Sequence, residues 1–160
     1  ISAENTGLTD ISPLAGKLRL EAVFIGDSLV TDITPLKSAR GLRFLGCNEL
    51  QIGSLDALEG MTELETVCLA GCGLWSIQPL SSGKKLRNVY LGRNNVSDLS
   101  PLIGCDIAEM YLDLNKLNGN SEAFRGLTVH GFIVMNGNGY AQEDLEYIRS
   151  TINGEADLEI

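Results

Sequence analysis

Apolar side chains recur at six fixed positions of a 22-residue period along the middle of the chain. With Leu20 taken as repeat position 1, the apolar positions are 1, 4, 6, 11, 14 and 17, and all 24 of them between Leu20 and Leu102 are apolar. They are Leu20, Val23, Ile25, Val30, Ile33, Leu36; Leu42, Leu45, Cys47, Ile52, Leu55, Leu58; Leu64, Val67, Leu69, Leu74, Ile77, Leu80; and Leu86, Val89, Leu91, Val96, Leu99, Leu102. Self-similarity at a fixed period of this length predicts a stack of repeated units.

The repeat weakens towards both ends. A half unit over residues 8–14 precedes the first full one, and a fifth unit begins one residue early at Ile107. A sixth keeps only its first part, for which the pattern predicts Val129, Phe132 and Val134 as inward-facing residues. We therefore expect about six stacked units.

Each unit contains the signals of one strand and one short helical turn. Apolar positions 4 and 6 alternate like a strand with one buried face. All four prolines of the chain lie at one phase of the period, at residues 13, 35, 79 and 101, where the fixed φ of proline suits an opening helical turn. Three residues earlier stand residue types that favour helix N-caps. These predicted caps are Asp10, Asp32, Ser54, Ser76 and Asp98.

The pattern LxxLxLxxNxIxDIxPL resembles the 22-residue leucine-rich repeat of bacterial internalin-type proteins, over roughly residues 8–137. This resemblance implies an α/β fold: a right-handed solenoid with a concave parallel β-sheet and short helical turns on its convex side. The chain departs from the family at position 9, which normally carries an asparagine that satisfies buried backbone groups. That position holds Ser28, Leu50, Cys72, Asn94, Asn115 and Gly137.

The C-terminal segment changes character. Residues 141–152 place Leu145, Ile148 and Ile152 on one helical stripe, which predicts a capping helix laid over the last repeat. An amphipathic helix that binds a partner is the alternative. We divide the chain into a solenoid over residues 1–139 and a helical cap with an acidic tail over 140–160. No comparable cap is visible before Leu8, which favours an excised or truncated solenoid, or one capped by another part of a longer chain.

The net charge of −9 belongs largely to the end of the chain, because residues 141–160 hold six acids and one base. An acidic chain without clustered Lys and Arg argues against nucleic-acid binding. No apolar run is long enough for a membrane span, and the first residues lack the pattern of a signal peptide.

Candidate chemistry is sparse. Cys47, Cys72 and Cys105 fall at inward positions, where cysteine acts as a small apolar residue, and Cys68 faces outward. Disulfides and a metal site are the alternatives for these cysteines. The single histidine, His130, has no nucleophile placed beside it. We expect no enzymatic activity, no cofactor and no metal.

The outward positions 2, 3, 5, 7 and 8 form the predicted concave face. They carry aromatic and arginine side chains of the types that dominate protein interfaces, with Trp75 on the rim after a strand. The predicted partner-binding residues are Phe24, Arg43, Phe44, Trp75, Arg87, Tyr90, Arg93 and Tyr111. Two structural interpretations remain open: a salt-bridge row along Glu21, Arg43, Glu65 and Arg87, and stacking of Tyr90 on Tyr111.

The predicted function is non-catalytic recognition of a protein partner through the concave face. The resemblance implies a module of a bacterial secreted or surface protein. Unpaired cysteines would favour an intracellular effector, regulator or toxin-neutralising protein instead, and a scaffold segment of a larger protein is a third hypothesis.

Overall fold

Seven strands form one parallel sheet in chain order, in a computed structural model that describes all 160 residues. The strands are β1 (Ala22–Phe24), β2 (Phe44–Gly46), β3 (Thr66–Cys68), β4 (Asn88–Tyr90), β5 (Asp106–Tyr111), β6 (Thr128–Val134) and β7 (Asp157–Glu159). Val23 pairs with Leu45 and Leu45 with Val67, so side chains one period apart are lateral neighbours. The expected right-handed solenoid is confirmed.

The core is one continuous apolar column enclosed by the coils. Of the 24 repeat positions, 22 are buried, and the other two, Leu20 and Ile52, are half-buried. The column runs from Ile11 to Ile152 and includes Cys47, Cys72 and Cys105. One strand with a short return has no second layer of its own, so each coil buries its apolar face only against its neighbours.

Short 3₁₀ helices return the chain on the convex side. They span Ser12–Leu14, Thr34–Ser38, Asp56–Leu58, Gln78–Ser82, Ser100–Leu102 and Ser121–Phe124. Each of the four prolines lies in the first turn of its helix, as predicted.

The residues predicted as N-caps lie one residue before the actual N-cap of each helix. The carboxylate of Asp10 accepts the N–H of Ser12 at 2.7 Å, and Asp32 accepts that of Thr34 at 2.8 Å. The N-cap residue itself is the apolar one in between, such as Ile33. Each aspartate side chain thus closes a local turn by accepting the first N–H of the helix. These hydrogen bonds lower the pKa of both carboxyl groups.

Three buried asparagines connect neighbouring coils in the C-terminal half. Asn94 accepts the N–H groups of Cys72 and Leu74, both at 3.0 Å, and donates to the carbonyls of Leu69 and Leu91, both at 2.8 Å. Asn115 and Asn138 repeat this arrangement, and we call the three the asparagine ladder.

The N-terminal half satisfies the equivalent backbone with other groups. At the asparagine position, the thiol of Cys72 donates to the carbonyl oxygen of Cys47 at 3.0 Å. The Asn48 side chain accepts the N–H of Ala70 at 2.9 Å. No buried side-chain nitrogen or oxygen is left without a partner. A thiol therefore takes over part of the role that asparagine has elsewhere.

Strand β6 contains a bulge, and two sequence predictions, the inward faces of Phe132 and Val134, are wrong because of it. Ile107 pairs with Val129, but Glu109 pairs with Phe132, so β6 carries one extra residue. A Cβ atom on Gly131 would lie 2.2 Å from the carbonyl oxygen of Ala108, which explains the glycine at this close approach.

Beyond the bulge every side chain changes face. Ile133 and Met135 are buried, whereas Phe132 and Val134, predicted to point inward, lie on the outer face. In the sixth unit the asparagine-ladder position is accordingly held by Asn138 and not by Gly137.

The C-terminal segment caps the column and also extends the sheet. Helix α1 (Gln142–Thr151) buries Leu145 and Ile148 within the predicted range, and no helix is long and apolar enough to cross a membrane. The acidic tail then forms β7 beside β6, a strand that the sequence analysis did not predict. At the other end, Ser2 pairs with Phe24, so the first residues cover the edge of β1.

The asparagine ladder predicts a large and specific stability loss. Asn94→Ala would leave two buried N–H groups without acceptors, and we expect a loss of about 3 kcal/mol in the free energy of unfolding. Asn95→Ala, next to it, removes no side-chain hydrogen bond and should cost within about 0.5 kcal/mol. Urea denaturation of both variants checks this; equal losses would refute the ladder's role.

Candidate functional site

Two rows of outward side chains cross the strands of the concave face. The first row is Ala22, Phe44, Thr66, Asn88, Glu109, Phe132 and Asp157. The second row is Phe24, Gly46, Cys68, Tyr90, Tyr111, Val134 and Glu159. Between them lies the buried row that begins with Val23, so these two rows are the outer surface of the sheet.

Tyr90 and Tyr111 form a stacked pair on β4 and β5. Their ring centroids are 5.1 Å apart with an interplanar angle of 26°, which confirms the stacking interpretation. The Tyr90 hydroxyl donates to Glu109 at 2.6 Å, and this hydrogen bond to a carboxylate raises the pKa of Tyr90. Both side chains remain half-buried, so the pair is held in place while part of it still faces solvent.

Phe132 is a third aromatic residue of this face, which sequence reasoning missed. It follows Glu109 in the first row and is 52% exposed, with no role in the core. The signal in the sequence was the glycine at residue 131, which marks the bulge that turns Phe132 outward.

Phe24 and Phe44 form a second aromatic region towards the N-terminus. The Phe24 ring lies over Gly46 on the next strand, and a Cβ at Gly46 would meet the ring at 2.7 Å. An aromatic ring thereby covers the backbone of a glycine that has no side chain. The guanidinium of Arg43 lies 5.3 Å from the Phe44 ring centroid, a cation–π distance.

The expected salt-bridge row along the face forms only in part. Arg43 makes two hydrogen bonds to Glu65, at 2.8 and 3.0 Å, which raise the pKa of Arg43 and lower that of Glu65. Glu21 makes no salt bridge, and Arg87 pairs with Asp106 at 3.3 Å instead of Glu65. The row prediction is therefore wrong for these two contacts, since Glu65 is already occupied by Arg43 and the next coil offers an acid beside Arg87.

Asp106 also contacts the only histidine. The His130 Nε2 atom lies 3.2 Å from the second carboxylate oxygen of Asp106. The structure brings no three His, Cys, Asp or Glu side chains together as a metal-binding group.

Arg93 reaches across a whole coil. It pairs with Glu49, two coils away, above Gly71, where a side chain would collide with the Glu49 carboxylate. Arg93 and Glu49 both have positive φ, at 55° and 62°. The structure thus places Arg93 at the end of its strand, next to the tyrosine pair.

A shallow depression of about 300 Å³ lies between these features. Small residues of the middle coils form its floor, and the tyrosine pair and Arg93 form its side. It is lined by Asn48, Cys68, Ala70, Tyr90, Gly92, Arg93, Tyr111 and Asp113. Such a depression is suited to receive a side chain of another protein.

Trp75 lies apart from the concave face. It is 70% exposed and lines a groove with residues of the 3₁₀ helices Asp56–Leu58 and Gln78–Ser82. The structure therefore brings together Tyr90, Tyr111 and Arg93 and separates Trp75 from them. Phe24 and Phe44 lie on strands of the same sheet, and Arg43 and Arg87 each directly precede one of its strands.

All four cysteines are unpaired. Burial raises the pKa of the Cys47 thiol and raises that of Cys72 to about 12, so both are protonated at neutral pH. Cys68, on the floor of the depression, is the one cysteine that is not fully buried, and its pKa is also raised by burial.

Comparison with solved structures shows the fold. An internalin (inlF) from Listeria monocytogenes superposes with a TM-score of 0.74 at 22% identity, over 94% of this chain and 46% of that one. Internalin C2 (inlC2) from the same species superposes with a TM-score of 0.67 at 21% identity, over 98% and 72% of the two chains. The fold is that of an internalin-like leucine-rich repeat solenoid.

Sequence comparison agrees at the level of the repeat. Leucine-rich repeat-containing protein 56 of Mus musculus is 36% identical over 78 residues, which are 48% of this chain and 13% of the mouse protein. This chain therefore spans a small part of the length of that relative. No protein-family model matches the sequence.

The burial of the cysteines predicts selective modification. Iodoacetamide should alkylate Cys68 alone in the native protein, because its side chain is the only partly accessible thiol, and all four after unfolding without reductant. Peptide mass spectrometry counts the modified sites. Fewer than four sites in the unfolded, unreduced protein would reveal a disulfide and contradict the structure.

Proposed function

We propose that this chain, which folds as an internalin-like leucine-rich repeat solenoid, is a non-catalytic module that binds a protein partner on its concave face. The observation that carries the proposal is a group of outward aromatic rings on three adjacent strands: Tyr90 and Tyr111 in the second row, and Phe132 in the first row. The solenoid has no need of them, because the core is filled by the buried positions of the same strands.

Aromatic rings in this position favour binding for a physical reason. Large rings contribute much apolar contact area and lose little side-chain entropy on binding, so they dominate interface energetics. Stacking and the Glu109 hydrogen bond already hold the tyrosines in one orientation. The adjacent depression gives a partner a concave feature to fill beside this rigid surface.

The three arginines extend the proposed interface. Their side chains are 46%, 62% and 58% exposed for Arg43, Arg87 and Arg93, although each pairs with an acid of the face. Such exposed pairs add little to folding stability, about 0–1 kcal/mol each. They do hold the guanidinium groups in place, where a partner can accept further hydrogen bonds from them. Arg43 lies beside the Phe44 ring, and Arg93 lines the same depression as the tyrosine pair.

The biological setting has two candidates. Resemblance to internalins favours a bacterial secreted or surface-displayed protein. The four unpaired cysteines favour the alternative, an intracellular effector, regulator or toxin-neutralising protein, because oxidising compartments select for paired cysteines. A scaffold role within a larger protein would use the same solenoid without the aromatic surface.

A photo-crosslinking experiment tests the proposed face. We expect a benzoyl-phenylalanine at residue 132 to crosslink a specific protein in cell lysate, and the same probe at Ile103, an exposed convex residue, to crosslink none of it. The captured protein is then purified and its affinity for variants of this chain is measured. Phe132→Ser or Tyr111→Ala should weaken binding about tenfold or more, as expected for interface hot spots.

Ile103→Ala serves as the matched control, since it removes an exposed apolar side chain outside the face. It should leave the affinity unchanged. Full affinity of both face variants, with thermal unfolding midpoints like that of the parent protein, would contradict the proposal.

A further inference from the structure

A groove of about 350 Å³ lies on the solenoid away from the concave face. It runs between the second and third coils, beside the 3₁₀ helices Asp56–Leu58 and Gln78–Ser82. Trp75 forms its apolar part, 70% exposed, and Pro79 lies in the same lining. A largely exposed tryptophan contributes little to the core, so folding gives no reason for it.

The repeat itself does not call for tryptophan at this position. The equivalent residues of the other full coils are Thr31, Gly53 and Ser97, all small and exposed. Gly53, one coil before Trp75, has no atom within 4 Å of where a Cβ would lie, so the groove is open on that side. The indole is therefore a local addition to a regular frame.

The polar lining of the groove is acidic. Asp56 and Glu59 are exposed, neither makes a salt bridge, and no lysine or arginine lines the groove. The Arg40 guanidinium donates to the backbone carbonyl of Glu59 but is not part of the lining. Four serines complete the polar surface with hydroxyl groups that accept or donate hydrogen bonds.

We propose that this groove is a second binding site, which takes an arginine or lysine side chain of a partner protein. The cation stacks on the indole face of Trp75, since tryptophan is the best cation–π acceptor among the side chains. The carboxylates of Asp56 and Glu59 supply the opposite charge. Acidic character and the lack of basic residues exclude the phosphate backbone of nucleic acid as the occupant.

The chain provides its own reporter for this site, because Trp75 is its only tryptophan. We would titrate the full chain with an acetylated and amidated Gly-Arg-Arg-Gly peptide and follow tryptophan fluorescence. The expected result is a saturable change. The isosteric peptide with citrulline in place of arginine, which has no charge, should cause none.

Two double variants separate the groove from general attraction to an acidic protein. Asp56→Asn with Glu59→Gln should weaken binding about tenfold, because it removes both groove charges. Glu143→Gln with Glu146→Gln changes the net charge equally on exposed residues of α1 and should leave binding unchanged. Calorimetry measures the affinity independently of fluorescence.

Three outcomes would overturn the proposal. They are equal weakening by the two double variants, an equal response to the citrulline peptide, and no saturable binding to a parent protein whose folding is intact. Thermal unfolding midpoints confirm folding for every variant, and substitution of exposed side chains is expected to leave them unchanged.

Discussion

Lateral stacking of coils in register is the constraint on which the rest of this structure depends. A single coil has a strand and a short return, so its apolar face and the backbone of its turns find partners only in the next coil. The contacts of Asn94 show both needs met at one residue: it accepts two N–H groups of the preceding coil and donates to carbonyls of that coil and its own. This requirement fixes the buried positions of each coil but leaves the outward positions free to vary. The candidate functional residues lie at these outward positions.

The sequence predicted most of the fold because the period is read directly from buried positions. The two repeat positions that are only half-buried, Leu20 and Ile52, both lie in the N-terminal half of the chain. The errors have local causes. One extra residue at Gly131 reversed the predicted faces of Phe132 and Val134, since a strand alternates with period two. Strand β7 was not predicted because it has only three residues, two of them acidic, and so short a segment shows no hydrophobic periodicity.

The candidate sites were harder to predict than the fold. Periodicity placed Tyr90 and Tyr111 outward, but only coordinates show that Glu109 and the ring of its neighbour hold Tyr90 in place. The repeat position of Trp75 predicted a contact on the rim after a strand, but the residue lines a groove with the 3₁₀ helices, apart from the concave face. Glycines are the common element of the outer surface. Gly46 leaves room for the Phe24 ring, and Gly71 leaves room for the ion pair between Glu49 and Arg93. The repeat thus accommodates a large side chain where the neighbouring coil has a glycine.

Proton NMR gives the most direct test of the register and of which side chains face outward. We expect strong nuclear Overhauser contacts between the Phe24 ring and the Hα protons of Gly46, 22 residues away, and between the rings of Tyr90 and Tyr111. None of these three rings should show contacts to methyl groups of the core, such as those of Leu45 or Val89. Rings that contact those methyl groups, or a Phe24 ring without any contact to Gly46, would contradict this expectation.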